Sequence, residues 1–137
     1  MQNIATAFIF CPKTERTVIF MTILDIMNKL NAKLLTPDAD TSVEVHTACG
    51  SDMMSDVLAY VKDQSVLLTG LNNPQVIRTA DMMDMACVVF VRSKKPDDTI
   101  LALAAERGIA VLATDMTMFA ACGILYEAGL RGSVQDG

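Results

Sequence analysis

Apolar residues recur along this chain with two different spacings, which predict an alternation of strands and helices. From Met21 onward, short runs rich in aliphatic and β-branched residues alternate with stretches in which apolar side chains return every three or four positions. Glycine, proline, asparagine and aspartate residues separate these stretches, as turns require. The order predicts successive β-α-β units, in which helices connect parallel strands.

Five strands are predicted from the short apolar runs. Residues 42–47 alternate polar with apolar or small side chains, and we expect them to pair with a weaker strand at 32–35 as an antiparallel edge. Residues 65–69, 87–91 and 109–113 are predicted to form the parallel centre of the sheet. The run at 87–91 contains no polar residue, which predicts burial on both faces.

Helices are predicted at residues 23–30, 52–62, 74–83 and 96–107, and from 114–117 to about residue 128. The signals for their ends are N-caps at Thr22 and Asn73, proline in the first helical position at Pro74 and Pro96, and terminal glycines at Gly108 and Gly129. These elements together predict a three-layer α/β/α sandwich with a mostly parallel central sheet.

The predicted elements occupy residues 21–132, which we interpret as one domain. Residues 1–20 contain an apolar stretch at 4–10, but no basic residue precedes it, and it is too short to span a bilayer. We therefore expect residues 1–20 to be an N-terminal extension of the domain. Residues 133–137 have little apolar content and are predicted to be a loose tail.

The composition and net charge of the chain restrict the classes of molecule that it is expected to bind. Hydrophobic residues make up 52% of the 137 residues, enough for a core that needs neither a metal nor a disulfide. The 11 basic and 16 acidic residues give a net charge of -5, which opposes attraction to phosphate backbones and to anionic lipid. We therefore expect neither nucleic-acid binding nor membrane binding.

The four cysteines are far apart in the sequence, and His46 is the only histidine of the chain. This spacing does not fit a zinc site, and no metal or other cofactor is predicted. Buried, reduced thiols are the expectation, and they suit a cytoplasmic protein. An alternative applies to Cys49, which could face solvent near a helix N-terminus that would lower its pKa.

Candidate ligand-binding residues follow from the predicted topology. Ligands of open parallel sheets bind at the carboxyl ends of the strands, where loops and helix N-termini present backbone N–H groups. The candidates are Gly50, Ser51, Asp52, Thr69, Gly70, Asn72, Asn73, Thr114, Asp115 and Thr117. In the run 92–95, Lys94 or Lys95 could add a positive charge for an anionic ligand. The alternative for each residue is a structural role as a helix cap or a turn glycine.

Several catalytic motifs are absent from the sequence. The sequence contains neither the phosphate-binding loop of nucleoside triphosphatases nor the glycine-rich motif that binds dinucleotides. His46 lies in an alternating strand and lacks a nucleophile elbow, so it is interpreted as an ordinary strand residue. Asp52 and Asp56, one helical turn apart, are too few ligands for a divalent-ion site.

Three segments resemble the small stand-alone DRTGG-domain proteins of bacteria. They are residues 50–58, the Thr69–Gly70 and Asn73–Pro74 junction, and residues 108–115 with Thr117 and Ala120. The resemblance extends from about residue 21 to 132 and implies a fold like the N-terminal domain of HPr kinase/phosphatase. It also implies kinship with domains attached to phosphotransacetylases and to CBS-containing pyrophosphatases, where the domain looks like a regulatory module.

The chain departs from the motifs for which that family is named. Residues 70–72 are Gly-Leu-Asn where the Asp-Arg pair would lie, and 91–94 are Val-Arg-Ser-Lys near the Thr-Gly-Gly position. Relatives are often labelled kinases, but the phosphate loop of HPr kinase belongs to its other domain. The resemblance therefore does not imply kinase activity for this chain.

Three functions are compatible with these observations. The leading hypothesis is a non-catalytic regulatory or ligand-sensing module that binds a phosphate-bearing metabolite or nucleotide, as a homodimer or beside a partner enzyme. The first alternative is a protein–protein interaction or assembly subunit, for which exposed methionines would be the sign. The second is a minor transferase or hydrolase that uses Cys49, Asp52 or Asp56.

Overall fold

A five-stranded sheet forms the centre of the protein in a computed structural model, which describes residues 21–61 and 64–132. The elements in chain order are β1 (Met21–Thr22), α1 (Ile23–Leu30), β2 (Lys33–Leu34), β3 (Glu44–Val45), β4 (Thr47–Gly50), α2 (Met54–Tyr60), β5 (Ser65–Thr69), α3 (Pro74–Met82), β6 (Cys87–Phe90), α4 (Asp98–Arg107), β7 (Ala110–Ala113) and α5 (Met118–Glu127). The predicted extension at 1–20 and the tail at 133–137 lie outside the described residues.

The sheet has the order β2-β7-β6-β5-β4, and its last four strands are parallel. Helices cover both of its faces. Leu68 on β5 contacts the core beneath α1 and α5, whereas its neighbour Leu67 contacts the core beneath α2, α3 and α4. The predicted three-layer sandwich is confirmed, and so is the two-sided burial of β6, whose four residues are all completely buried.

The predicted antiparallel edge between residues 32–35 and 42–47 is wrong. β2 pairs antiparallel with β7, and Val111 in β7 donates its N–H to the Thr36 side chain at 3.0 Å. The predicted strand at 42–47 is interrupted at His46. On one side of it, β3 pairs with β1 in a separate two-stranded sheet, and on the other side β4 pairs with β5. The prediction failed because the hydrogen-bonding groups of β2 are taken by a strand far away in the sequence.

Several predicted helix ends are confirmed. Thr22 and Asp25 form a capping box, Asn73 accepts a hydrogen bond from the Gln75 N–H at 2.6 Å, and Gly108 ends α4 in the left-handed conformation. The capping bonds hold the pKa of the Asp25 carboxyl below its usual value, the backbone N–H of Thr22 contributing most.

Other helix ends differ from the prediction. Asp97 is the N-cap of α4, so Pro96 precedes the helix rather than opening it. The helix α2 begins at Met54 instead of residue 52. The Ser51 hydroxyl accepts a hydrogen bond from the Met53 N–H, and the Asp52 carboxylate accepts one from the Gly70 N–H in another loop, so neither side chain caps an earlier start of the helix. The last helix is capped by Thr117, and Gly129 lies one residue beyond its C-cap. No helix of the described ranges has the length and apolar character needed to cross a membrane.

Candidate functional site

The loops that follow the four parallel strands lie along one edge of the sheet, which we call the carboxyl edge. Asp52, in the loop after β4, connects that loop to the end of β5. Its Oδ1 accepts hydrogen bonds from the Thr69 hydroxyl at 3.0 Å and from the buried Gly70 N–H at 2.7 Å. The Thr69 hydroxyl in turn accepts from the Leu71 N–H at 3.1 Å. Three of the predicted site residues are therefore close together and hold one another in place.

The two asparagines that follow have different partners. Asn73 caps α3, whereas the Asn72 side chain donates to the carbonyl of Lys95 at 3.3 Å. This bond links the loop after β5 to the loop after β6. Arg92 packs against the same place, because a Cβ on Gly70 would lie 2.2 Å from its Nη2. Gly70 thus leaves room for the guanidinium of Arg92.

The loop after β6 has an unusual backbone. Arg92 and Ser93 have positive φ angles of 58° and 57°, a conformation that costs a non-glycine residue about 1–2 kcal/mol. Three hydrogen bonds to the loop after β7 hold it: Arg92 N–H to Met116 at 2.8 Å, Ser93 N–H to Thr114 at 3.0 Å, and the Ser93 hydroxyl to Asp115 at 2.6 Å. The two loops therefore form one unit.

A cleft of about 430 Å³ opens between this unit and the edge strand β2. Three lysines line it: Lys33, Lys94 and Lys95. Its other polar residues are Asn31, Ser93 and Asp115, and its apolar lining comes from Leu35, Pro96, Leu101 and Ala113. Three cations beside one carboxylate make this a locally basic cleft in an acidic chain, which suits an anionic ligand that also carries an apolar or planar group.

The structure distributes the ten predicted site residues along the carboxyl edge. Only Asp115 lines the cleft, which also contains both of the lysines singled out in the sequence. Thr114 is buried and donates its hydroxyl proton to the Leu30 carbonyl at 2.7 Å, and Thr117 caps α5. Sequence reasoning missed Asn31 and Lys33, because they reach the cleft only through the pairing of β2 with β7.

Gly50 lies at a close contact between β4 and α5. A Cβ there would lie 2.7 Å from the Cys122 Sγ and 3.3 Å from the Met118 Sδ. Gly50→Ala is expected to lower the free energy of unfolding by about 1–3 kcal/mol, because one of these side chains must move. Urea denaturation measures the loss.

Two further variants make the Gly50 test specific. Adding Cys122→Ala should restore most of the stability, because it removes the nearest atom. Gly132→Ala serves as the control, since its Cβ would meet nothing closer than 3.9 Å. Equal losses with and without Cys122 would contradict the explanation.

A second cleft, of about 360 Å³, lies at the opposite end of β7. Residues 36–40 line it together with Ala105, Gly108 and Ile109. Its charged residues are Asp38 and Asp40. Hydrogen bonds from the Ser42 hydroxyl, which contributes most, and from the Ser42 N–H lower the pKa of the Asp40 carboxyl. Carboxylates without a cation disfavour an anionic ligand here, so the carboxyl-edge cleft is the better candidate.

The three cysteines within residues 21–61 and 64–132 do not provide a reactive thiol. Burial raises the pKa of the Cys49 thiol, and the Cys122 thiol and the Asp56 carboxylate raise it further. Burial likewise raises the pKa of Cys122, and that of Cys87 to about 12. The alternative of a lowered Cys49 pKa is wrong. Desolvation of the half-buried thiol raises its pKa by more than a helix N-terminus lowers it.

The other groups considered for chemistry lie apart from the cleft. His46 sits at the amino end of β4, where its Nε2 is 3.6 Å from the Glu44 carboxylate. Across residues 21–61 and 64–132, no three histidine, cysteine, aspartate or glutamate side chains are grouped closely enough to hold a metal ion.

The fold and the cleft define a three-layer α/β domain with a basic ligand-sized cleft at its carboxyl edge. Residues 25–128 match the DRTGG domain family, and because they make up well over half of the chain, it belongs to that family. A comparison with curated proteins found no match.

The fold is similar to a crystal structure of the CBS and DRTGG domains from the regulatory region of Clostridium perfringens pyrophosphatase, complexed with the activator diadenosine tetraphosphate. The TM-score is 0.63 and the sequence identity 12%, and the match covers 94% of this chain. It covers 56% of that chain, so this protein spans little more than half of the structure it resembles.

Proposed function

We propose that this chain is a non-catalytic regulatory module of the cytoplasm that binds a phosphate-bearing metabolite or nucleotide in the carboxyl-edge cleft. One observation carries the proposal: three lysines converge on an open cleft of about 430 Å³ in a chain of net charge -5. Membership of the DRTGG family supports a regulatory role. The nucleotide activator bound to the pyrophosphatase regulatory region supports the ligand class.

The chemistry of the cleft suggests how the ligand is bound. Phosphate oxygens accept charge-assisted hydrogen bonds from lysine ammonium groups, so Lys33, Lys94 and Lys95 would neutralise the phosphate end. The apolar lining, which includes Leu35 and Leu101, would contact a base or an acyl group. The cleft volume falls within the range of roughly 300–1,000 Å³ that small-molecule sites occupy.

The remaining predicted site residues have supporting roles in this proposal. Asp52, Thr69 and Gly70 fix the loop after β5, and Asn72 connects that loop to Lys95. Gly50, Ser51, Asn73, Thr114 and Thr117 shape or cap the neighbouring segments. They would position the cleft rather than contact the phosphate.

The test is binding of defined probes to the full chain. Adenine nucleotides, acetyl phosphate and inorganic phosphate are titrated by calorimetry and by thermal shift. A ligand at 100 times its Kd should stabilise the protein by about 2.7 kcal/mol. Lys94→Ala should weaken binding on the order of 10-fold or more, because a charge-assisted hydrogen bond is lost.

Lys29→Ala is the matched control, since Lys29 is an exposed lysine that lies outside the cleft. Its affinity should equal that of the wild type. Failure of every probe to bind would contradict the proposal. Loss of binding in Ser51→Ala or Asn73→Ala, with Lys94→Ala unaffected, would move the site to the loops after β4 and β5.

The interaction module is a second candidate, favoured by two exposed methionines. Met53 before α2 and Met82 on α3 are 58% and 68% exposed, whereas Met85 is buried. Because α2 packs against α3, Met53 at the start of α2 and Met82 at the end of α3 belong to the same helical layer of the sheet. A partner enzyme that docks there would be compatible with a ligand in the carboxyl-edge cleft.

A further inference from the structure

The side chain of Arg92 ends at the carboxyl edge, over the backbone that follows β5. Its Nη2 occupies the space into which a Cβ on Gly70 would project. Among the residues that the structure describes, no oxygen accepts a hydrogen bond from this guanidinium, and no carboxylate forms an ion pair with it. The planar fork of an arginine fits two phosphate oxygens at once. Arg92 therefore places a cation of suitable geometry for phosphate beside the loops of the carboxyl edge.

Two backbone features hold the guanidinium at this position. Arg92 has a φ of 58°, in the left-handed region that glycine adopts without a steric cost, and its N–H donates to the Met116 carbonyl. Gly70 does not have a positive φ, so its advantage over a larger residue is the space that it leaves for the guanidinium. The two residues together keep the charge of Arg92 against the main chain.

Arg92 extends the row of cations that begins in the cleft. Lys33 on β2 and the lysines Lys94 and Lys95 after β6 line the cleft, and the Arg92 guanidinium lies one strand further along the sheet, at the end of β5. Neighbouring strands are about 4.8 Å apart, so the row extends over roughly 14 Å from β2 to β5. A single phosphate group is too small to contact both ends of this row, whereas a chain of linked phosphates can follow it.

The carboxylates near this row already accept hydrogen bonds within the chain. Asp52, Asp97 and Asp115 each accept one from a neighbouring segment. Asp52 and Arg92 both contact Gly70, but they form no ion pair with each other. The four cations outnumber these three carboxylates, which favours a ligand that carries several negative charges.

We propose that Arg92 forms a second phosphate subsite, so that the ligand of the carboxyl-edge cleft carries two or more linked phosphates. One phosphate binds at the lysines of the cleft, and the next binds at the Arg92 guanidinium. This inference rests on the proposed function, which requires only a phosphate-bearing ligand. It adds the class of that ligand and a residue that selects it.

Calorimetry of the full chain with AMP and ADP, which differ by one phosphate, tests the subsite. ADP should bind the wild type on the order of 10-fold more tightly than AMP, because Arg92 donates charge-assisted hydrogen bonds to the second phosphate. Arg92→Gly should remove this difference by weakening ADP alone, whereas Lys94→Ala should weaken both nucleotides. Glycine accepts the positive φ of this position, so the variant is expected to fold, and circular dichroism verifies it. Arg78→Ala is the matched control, an exposed arginine on α3 outside the cleft, and should change neither affinity.

Gly70→Ala tests the position of the guanidinium without removing its charge. The new Cβ displaces the flexible end of Arg92, so the affinity for ADP should fall to that for AMP. Equal binding of the two nucleotides by the wild type would overturn the subsite. It would also be overturned if Arg92→Gly weakened both nucleotides alike or neither, or if Gly70→Ala kept the full affinity for ADP. Failure of both nucleotides to bind, or binding of both that is unaffected by Lys94→Ala, would instead contradict the proposed function, and the subsite with it.

Discussion

Alanine at either Leu67 or Leu68 is expected to lower the free energy of unfolding by about 2–5 kcal/mol. The two residues are neighbours on β5, are 0% and 1% exposed, and point to opposite faces of the sheet. Each substitution removes apolar contacts and leaves a cavity beneath a different helical layer. For a domain with a total stability of about 5–15 kcal/mol, either loss is large.

Urea denaturation of both variants measures the two losses separately. Leu24→Ala is the control, because Leu24 on α1 is 48% exposed and its truncation should cost less than about 1 kcal/mol. A large loss at only one of the two positions on β5 would contradict a sheet that is covered on both faces.

Asp52→Ala is expected to lower the free energy of unfolding by about 1.5–3 kcal/mol, although Asp52 lies on the surface. The carboxylate accepts hydrogen bonds from the Thr69 hydroxyl and from the Gly70 N–H, which the variant leaves without an acceptor. Thermal and chemical denaturation in the absence of ligand measure this effect without reference to binding.

Asp52→Asn separates the hydrogen bonds from the charge. The amide keeps an oxygen in the same position and can accept both bonds, so this variant should retain most of the stability. An asparagine variant as unstable as the alanine variant would show that the two hydrogen bonds are not the cause.

The parallel centre of the fold could be predicted because its signal is local. The apolar run at 87–91 and the Asn73–Pro74 helix start depend on neighbouring residues alone, and the structure has them as predicted. The edge could not be predicted, because β2 has only two residues and pairs with a strand near the other end of the chain. A strand of two residues has too short a sequence pattern to indicate which strand it pairs with.

The candidate site was predictable to a similar extent. The carboxyl edge and the lysines at 94 and 95 follow from the order of strands, whereas Asn31 and Lys33 enter the cleft only through the edge pairing. Asp52 could not be distinguished from a helix cap, because its acceptor role depends on Thr69 and Gly70 in the next β-α unit. Sequence patterns give the location of the loops but not the bonds between them.

The pairing of β2 with β7 also sets an order in which the molecule can be completed during synthesis. Thr36 and Val111 are 75 residues apart, and the hydrogen bond between them closes the edge of the sheet. A nascent chain that has emerged only as far as β6 has Asn31 and Lys33 but lacks the strand that brings them to Lys94. The cleft can therefore form only after β7 has emerged and paired with β2, which makes it one of the last features of the fold to be completed.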